Sequence, residues 1–443
     1  MKVLKFGGTS MANADSIKQV ASIILADEQN RFVVVSAPGK REKSDVKVTD
    51  LLYKCYDEKQ QTGKCDKSFK LVQKRFDDII SGLNIDLDMS AYFTEIKNDI
   101  NMGASKDYVA SRGEYLSAIV TAGYLKLPFI DAADLVKFDM NGAFQSEFTN
   151  EICAKKLKSV KSAVIPGFYG QMPNGEIKTF SRGGSDITGA IIARAVNAEV
   201  YENWTDVDGF LACDPRIVEN PEGISMLTYK ELRELSYMGA NVLHSDSIFP
   251  VRKSDIPINI RNTFNPSAAG TLIVPTKKYL SGEYKRKDRT VTGIAGKKDF
   301  LSIFMAKSMM NNEIGFARRV LSILERNNIS FEHMPSGVDT LSIILDMNTV
   351  SRKLLERVVK DIKDECRPDS IDVMENFALI AVVGHGMNRK KGTAARVFGA
   401  LADADINIRM IDQGSSELNI IVAVESSDYE NAIRALYNEF KGE

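Results

Sequence analysis

Over the first 276 residues the apolar positions alternate between two spacings. Short segments at 3–6, 129–130, 163–165, 199–203 and 257–260 read as strands, and the apolar run 32–35 as a buried one. Between them, 15–26, 187–196 and most of 49–122 carry apolar residues every three to four positions, the spacing of helices with one buried face. A further strand-like run covers 177–180. Strands separated by helices predict a mostly parallel sheet covered on both faces. In such sheets ligands bind beyond the carboxyl ends of the strands, where the glycine-rich turns of this chain fall.

The charged stretch 277–289 has one glycine and no apolar period, and reads as a linker. Beyond it the chain repeats itself. Gly315-Phe316-Ala317-Arg318-Arg319-Val320-Leu321 aligns with Gly392-Thr393-Ala394-Ala395-Arg396-Val397-Phe398, 77 positions later. The same offset pairs Leu324 with Leu401, Ile329 with Ile406, Gly337 with Gly414, and Leu341-Ser342-Ile343-Ile344 with Leu418-Asn419-Ile420-Ile421, without a gap. Each copy reads strand, glycine turn, helix, strand, turn, strand, helix, the order of a ferredoxin-like βαββαβ unit. The expected division is 1–276, a linker at 277–292, and modules at 293–365 and 366–443. On pattern alone the pair serves either dimerisation or ligand binding.

Composition narrows the chemistry. Lys and Arg (58) nearly balance Asp and Glu (59), which argues against a dedicated polyanion binder. Cys55, Cys65, Cys153, Cys213 and Cys366 form no CxxC pair, so a disulfide scaffold or zinc site is not expected and a reducing cytoplasm is. His244, His333 and His385 have no HExxH spacing, and no metal site is expected from them. No apolar stretch approaches the length of a membrane span, and the N-terminus lacks the apolar core of a secretion signal.

Four segments could carry chemistry. Lys5-Phe6-Gly7-Gly8-Thr9-Ser10 ends the first strand; paired glycines let backbone N–H groups approach a phosphate, and Lys5 adds charge. Alone it is equally a tight turn. Ser181-Arg182-Gly183-Gly184-Ser185-Asp186 opens a helix, an anion-binding arrangement, with Arg182 as a fork for carboxylate or phosphate. Asp186 is either part of that site or a helix cap. Trp204-Thr205-Asp206-Val207-Asp208-Gly209, continuing to Asp214-Pro215-Arg216, is either a nucleotide contact or an Asx turn. Glu114, in Ser111-Arg112-Gly113-Glu114, either pairs with a substrate ammonium or is a solvated helix glutamate. Neither a Walker A loop nor a protein-kinase signature is present.

In that order, KFGGTS, SRGE, SRGGSD and WTDVDG followed by DPR resemble the aspartokinase family. The tandem module resembles the family's paired ACT domains, and Ser415-Ser416-Glu417-Leu418-Asn419 is similar to its SSE-[IL]-N strand. The resemblance runs from Lys5 to about Val424. It implies an α/β fold, the amino-acid-kinase αβα sandwich followed by two interleaved ACT domains. It also implies transfer of the ATP γ-phosphoryl group to the β-carboxylate of L-aspartate, giving 4-phospho-L-aspartate on the route to lysine, threonine and methionine. Carried onto this chain, Lys5 and Asp186 would be catalytic. Arg182, Glu114, Thr49 and Ser36 would bind aspartate. Lys5, Phe6, Gly7, Gly8, Gly183, Gly184, Ser185, Thr205, Asp206, Leu211, Arg216, Asn241 and Val242 would hold ATP. Mg²⁺ would arrive with the nucleotide rather than in a protein cage.

The chain departs from the pattern at Asn241, where the family commonly has a lysine in GAKVLHP, and at Leu211, where it often has an aromatic. Arg252 and Lys253 are nearby cations that could substitute for the missing lysine. Asn241 favours one competing reading, a catalytically weak amino-acid sensor; Lys5, Arg182 and Asp186 argue against it. A related amino-acid or carbamate kinase is the other, and the ACT pair argues against that. No further GxGxxG unit appears, so a fused dehydrogenase is not expected. The first module resembles the lysine-sensing type. Lysine, threonine or both would bind near Met310, Phe316, Ala317, Phe331, Glu332 and Asp339, in a homodimer or tetramer built through the ACT domains.

Overall fold

The computed structural model describes residues 1–181, 183–240, 243, 248–286 and 289–443. They form two compact units: Met1–Phe210 with Ser225–Tyr229 and Val242–Arg286, and Leu211–Ile224 with Lys230–Asn241 and Lys287–Glu443.

In chain order the first unit contains the strands β1 (Lys2–Phe6), β2 (Asn30–Val35), β3 (Ala163–Pro166), β4 (Tyr169–Gln171), β5 (Ile177–Thr179), β6 (Val200–Thr205), β7 (Met226–Thr228), β8 (Ile258–Asn262) and β9 (Thr271–Val274). Among the described residues seven of these build one sheet in the order β3-β2-β1-β6-β8-β9-β7. All neighbours pair parallel except β8 with β9. Two expectations shift. The run 129–130 makes a single bridge from Phe129 to Val164 instead of a strand. The run at 177 becomes β5, which pairs antiparallel with β4 outside the main sheet.

Alternation along the strands sends side chains to opposite layers. Leu4, Phe6, Val33, Val35 and Trp204 join a buried cluster with the helices Ala14–Leu25, Val48–Thr62, Asp66–Leu83, Ser90–Met102 and Lys106–Leu125. Burying each such side chain contributes about 1.5–3 kcal/mol. On the other face the helix Gly184–Ala195 packs against β1, β2 and β6. Lys5, between Leu4 and Phe6, points into that second layer, and it is 8% exposed.

The second unit has a sheet of five strands among the described residues, ordered β11-β10-β12-β14-β13. The strands are β10 (Gly293–Ala306), β11 (Thr340–Asp346), β12 (Ser370–Val383), β13 (Met410–Asp412) and β14 (Asn419–Glu425). The two long strands are shared. The 300–306 half of β10 pairs with β11 and with the first half of β12, whereas Gly293 to Lys297 pair with Val383 to Leu379. The first residues of the first copy thus extend the sheet of the second.

The repeat is present in the backbone. Helices Phe316–Arg326 and Thr393–Asp403 begin and end 77 residues apart, each preceded by a left-handed glycine, Gly315 (φ 83°) and Gly392 (φ 84°). Both copies leave the helix region through a second left-handed residue, Asn328 (φ 54°) and Asp405 (φ 58°), side chains that tolerate this conformation. The buried positions keep the offset: Leu324 and Leu401, Leu341 and Leu418, Ile343 and Ile420.

Candidate active site

The carboxyl ends of β1, β2, β3 and β6 converge. Gly7 N–H donates to the Trp204 carbonyl (3.0 Å), Ser36 N–H to Phe6 (3.1 Å) and Gly167 N–H to Val35 (2.9 Å). Gly8 follows as the cap of the short helix Thr9–Met11. Gly39 N–H donates to the Gly8 carbonyl at 2.8 Å. A Cβ on Gly39 would meet Gly8 C at 2.6 Å, so the two backbones approach as only glycine permits.

Against this turn stands the helix Gly184–Ala195. Gly183 (φ 57°) precedes it and supplies no side-chain cap, so the first N–H groups, including those of Gly184 and Ser185, face an anion-ready end. Asp186 does not cap the helix. Its carboxylate lies 2.6 Å from Lys5 Nζ and accepts from Asn203 Nδ2 at 2.9 Å. The like-charge problem of an acid beside an anion site is answered by that ammonium. Asn203 stands on β6 beside Lys5 in register, and its amide oxygen lies 3.5 Å from Lys5 Nζ.

Glu114 is not a solvated helix residue. It is 6% exposed, and burial pushes its carboxyl up to about 8, against the backbone N–H of Ala37 that favours the charged form. Its Oε2 is buried without a hydrogen-bond partner among the described residues. Gly113 makes this placement possible: a Cβ there would meet the Ala37 Cβ at 2.7 Å, so the helix Lys106–Leu125 presses onto the chain just after β2. Ser36 and Thr49, both half-buried, flank the loop that leaves β2 and enters the helix Val48–Thr62. At the end of β6, the Thr9 and Thr205 hydroxyls both donate to Asp206, at 3.1 and 3.2 Å.

Leu211 and Arg216 belong to the second unit, where the Arg216 guanidinium is bonded to Asp214. Arg182, Asn241 and Val242 lie outside the described residues. Among the expected effector residues, Phe316 is 3% exposed and sits in the core of its module, with Lys307 Nζ 5.3 Å from the ring centre. Phe331 and Asp339 are exposed, Met310 and Ala317 half-buried. Glu332 accepts a hydrogen bond from the Tyr237 hydroxyl, whose pKa is raised by burial and by that carboxylate. Tyr237 ends the helix Tyr229–Tyr237, whose Glu234 also accepts from Asn419 Nδ2 at 2.7 Å.

Sequence reasoning missed Asn203, Gly167 and Phe168. A Cβ on Gly167 would meet that of Ser185 at 2.6 Å, which sets how closely the helix start approaches β3. Phe168 holds φ 80°, a strained value for a bulky residue, and its ring lies where Gly184 leaves room. A single amide and an unremarkable aromatic carry no motif signal; a glycine directly after a strand, as at Gly167, was the available one.

The amino acid kinase family profile matches residues 1–262, and an ACT domain profile matches 380–440. Aspartokinase 3 of Bacillus subtilis (strain 168) is 38% identical over an alignment that covers 99% of this chain and 98% of that protein. The crystal structure of Clostridium acetobutylicum aspartate kinase superposes with a TM-score of 0.92 at 50% identity over the full length of both chains. E. coli aspartokinase III, solved with aspartate and ADP in its R-state, superposes with a TM-score of 0.74 at 25% identity, covering 99% of each chain. The same protein with lysine and aspartate, in its T-state, gives 0.73 at 26%, covering 100% of this chain and 99% of that one.

Proposed function

The chain belongs to the amino acid kinase family as an ATP-dependent aspartate kinase, and from that footing we propose that it phosphorylates the β-carboxylate of L-aspartate to give 4-phospho-L-aspartate. The reading extends to a place at the head of lysine, threonine and methionine synthesis, in the cytoplasm. The observation that carries the chemistry is the pairing of the buried Lys5 with Asp186 beside the uncapped start of the helix Gly184–Ala195, with the buried Glu114 carboxyl, one oxygen of which has no partner among the described residues, behind Ala37.

A carboxylate is already a nucleophile, so no strong base is needed. The obstacle is bringing two anions together, and phosphoryl transfer is chiefly positioning and charge neutralisation. Lys5 neutralises charge developing on the transferred group, and Asp186 with Asn203 fixes its ammonium. The N–H groups of Gly7, Gly8, Gly184 and Ser185 bind phosphate oxygens, with Phe6 and Gly183 shaping the two turns. Arg182 clamps the α-carboxylate, Glu114 takes the ammonium, and Ser36 and Thr49 complete the aspartate pocket. Thr205 and Asp206, with Leu211, Arg216, Asn241 and Val242, serve the nucleotide.

Among the described residues no group of three His, Cys, Asp or Glu could hold a metal ion. Mg²⁺ would enter on ATP and offset phosphate charge, with the Asp206 carboxylate at the end of β6 a protein oxygen that could reach it.

Regulation follows the E. coli relative, whose lysine complex motivates the same effector here, with threonine as a second candidate. Glu332 offers a carboxylate for the effector's ammonium. Exposed apolar side chains on the second unit, Met309, Ile314, Phe331, Val338 and Ile411, favour assembly into a homodimer or tetramer through the ACT modules.

Release of ADP with aspartate and Mg-ATP, compared between wild type and Lys5→Ala, tests the reading. Wild-type turnover abolished by Lys5→Ala supports it; wild-type protein without aspartate-dependent turnover overturns it.

A further inference from the structure

Arg75 lies on the inner face of the helix Asp66–Leu83, remote in sequence from every motif, and is 4% exposed. It makes no use of its own helix. Nη1 donates to the Gly39 carbonyl at 3.0 Å, and Nη2 donates to both oxygens of Asp45 at 2.7 Å and to the Val46 carbonyl at 3.1 Å. All its acceptors belong to the loop between β2 and the helix Val48–Thr62, closed at its base by Val48 N–H on the Pro38 carbonyl (3.0 Å). Hydrogen bonds from Arg41 and the charge of Arg75 hold the Asp45 carboxyl well below its usual range.

That loop reaches the phosphate turn. Gly39, held through its carbonyl by Arg75, donates its N–H to the Gly8 carbonyl at 2.8 Å. Gly7 is fixed from the opposite side by the Trp204 carbonyl. Ser36 and Thr49 stand at the two ends of the same loop. A buried ion pair is poor evidence for stability, since apolar residues often fill such a place as well or better. A planar fork that reaches two backbone carbonyls and a carboxylate is suited instead to fixing a loop in one conformation.

We propose that Arg75 is a positioning residue for phosphoryl transfer: it locks the 38–48 loop so that Gly39 supports the Gly8 turn and so that Ser36 and Thr49 stand at a fixed separation. This rests on the aspartate kinase reading above.

The test is steady-state kinetics on full-length wild type, Arg75→Ala, Arg75→Lys and Asp45→Asn, with the folded fraction of each measured by circular dichroism and thermal melting. Rates are expressed per folded molecule. Loosening the turn by about an ångström predicts a fall in kcat of about 100-fold in Arg75→Ala, together with higher KM for both ATP and aspartate. Asp45→Asn, which keeps the carbonyl bonds of Arg75, should lose less. Millimolar guanidinium should restore part of the Arg75→Ala rate, whereas methylammonium should not. If Arg75→Ala does not fold, Arg75→Lys and Asp45→Asn carry the same kcat and KM readout. Wild-type-like constants per folded molecule in the folded variants overturn the proposal. Absence of turnover in the wild type would strike the functional reading itself, a separate outcome.

Discussion

Lys5 Nζ lies 2.6 Å from Asp186 Oδ1, and the Asn203 amide donates to that same oxygen at 2.9 Å. The ammonium is thus aimed before any ligand arrives. Lys5→Ala should lower kcat about 1,000-fold with the fold intact. Lys5→Arg should recover little, because a planar fork does not substitute for a point charge at this spacing. ADP release at saturating substrates checks both; a Lys5→Ala rate within tenfold of wild type would contradict the assignment.

Glu114 predicts a proton count. With its carboxyl pushed up to about 8, the ligand-free protein holds it mostly neutral at pH 7. Pairing with an ammonium requires the charged form, so aspartate binding should release about one proton. Calorimetry in two buffers of different ionisation heat measures this, and Glu114→Gln should abolish it.

The same residue sets a sign for stability. The folded state keeps a proton that the unfolded chain loses near the ordinary glutamate value. The contribution is full below that value and is lost as pH rises through about 8. Urea unfolding between pH 5 and 9 should show wild type falling relative to Glu114→Gln; parallel curves would refute the burial argument.

The Tyr237 hydroxyl bonds Glu332, so an effector ammonium held by that carboxylate would have to displace it. Removing its hydroxyl in Tyr237→Phe releases a charge-assisted hydrogen bond that binding must otherwise break. Lysine affinity should rise about tenfold, equivalent to about 1.4 kcal/mol. Unchanged or weaker binding by calorimetry would exclude Glu332 as the ammonium site.

Leu324 and Leu401 occupy matching buried positions in the two copies, at 2% and 0% exposure. Truncation to alanine should cost roughly 2–5 kcal/mol at each. Chemical denaturation giving less than 1 kcal/mol at either would mean that the copies are not equivalent in packing.

Much of this was legible in the chain. The repeat offset survived into helix limits and left-handed turns, because glycine, asparagine and aspartate report backbone conformation directly. The parallel strands showed as apolar runs because both their faces are buried. The short strands β4, β7 and β9 did not, since three or four residues carry too little pattern. Within the site, Lys5, Asp186 and Glu114 were readable from their motifs, but what each residue does was not. Whether Asp186 caps a helix or holds a lysine depends on Asn203, which only folding brings beside it. Arg75 was invisible for the same reason: two of its acceptors are backbone carbonyls, which no residue type announces, and the third, Asp45, is brought beside it only by folding.

The long strands β10 and β12 run through both copies of the repeat, and Gly293 to Lys297 serve the copy farther along the chain. A duplication whose halves have exchanged strands can no longer be divided along the line on which it was copied. A fragment starting after the first copy would expose an open strand edge along 379–383 and invite pairing with its neighbours in solution. Heredity made two modules here, and exchange of strands has left one mechanical object.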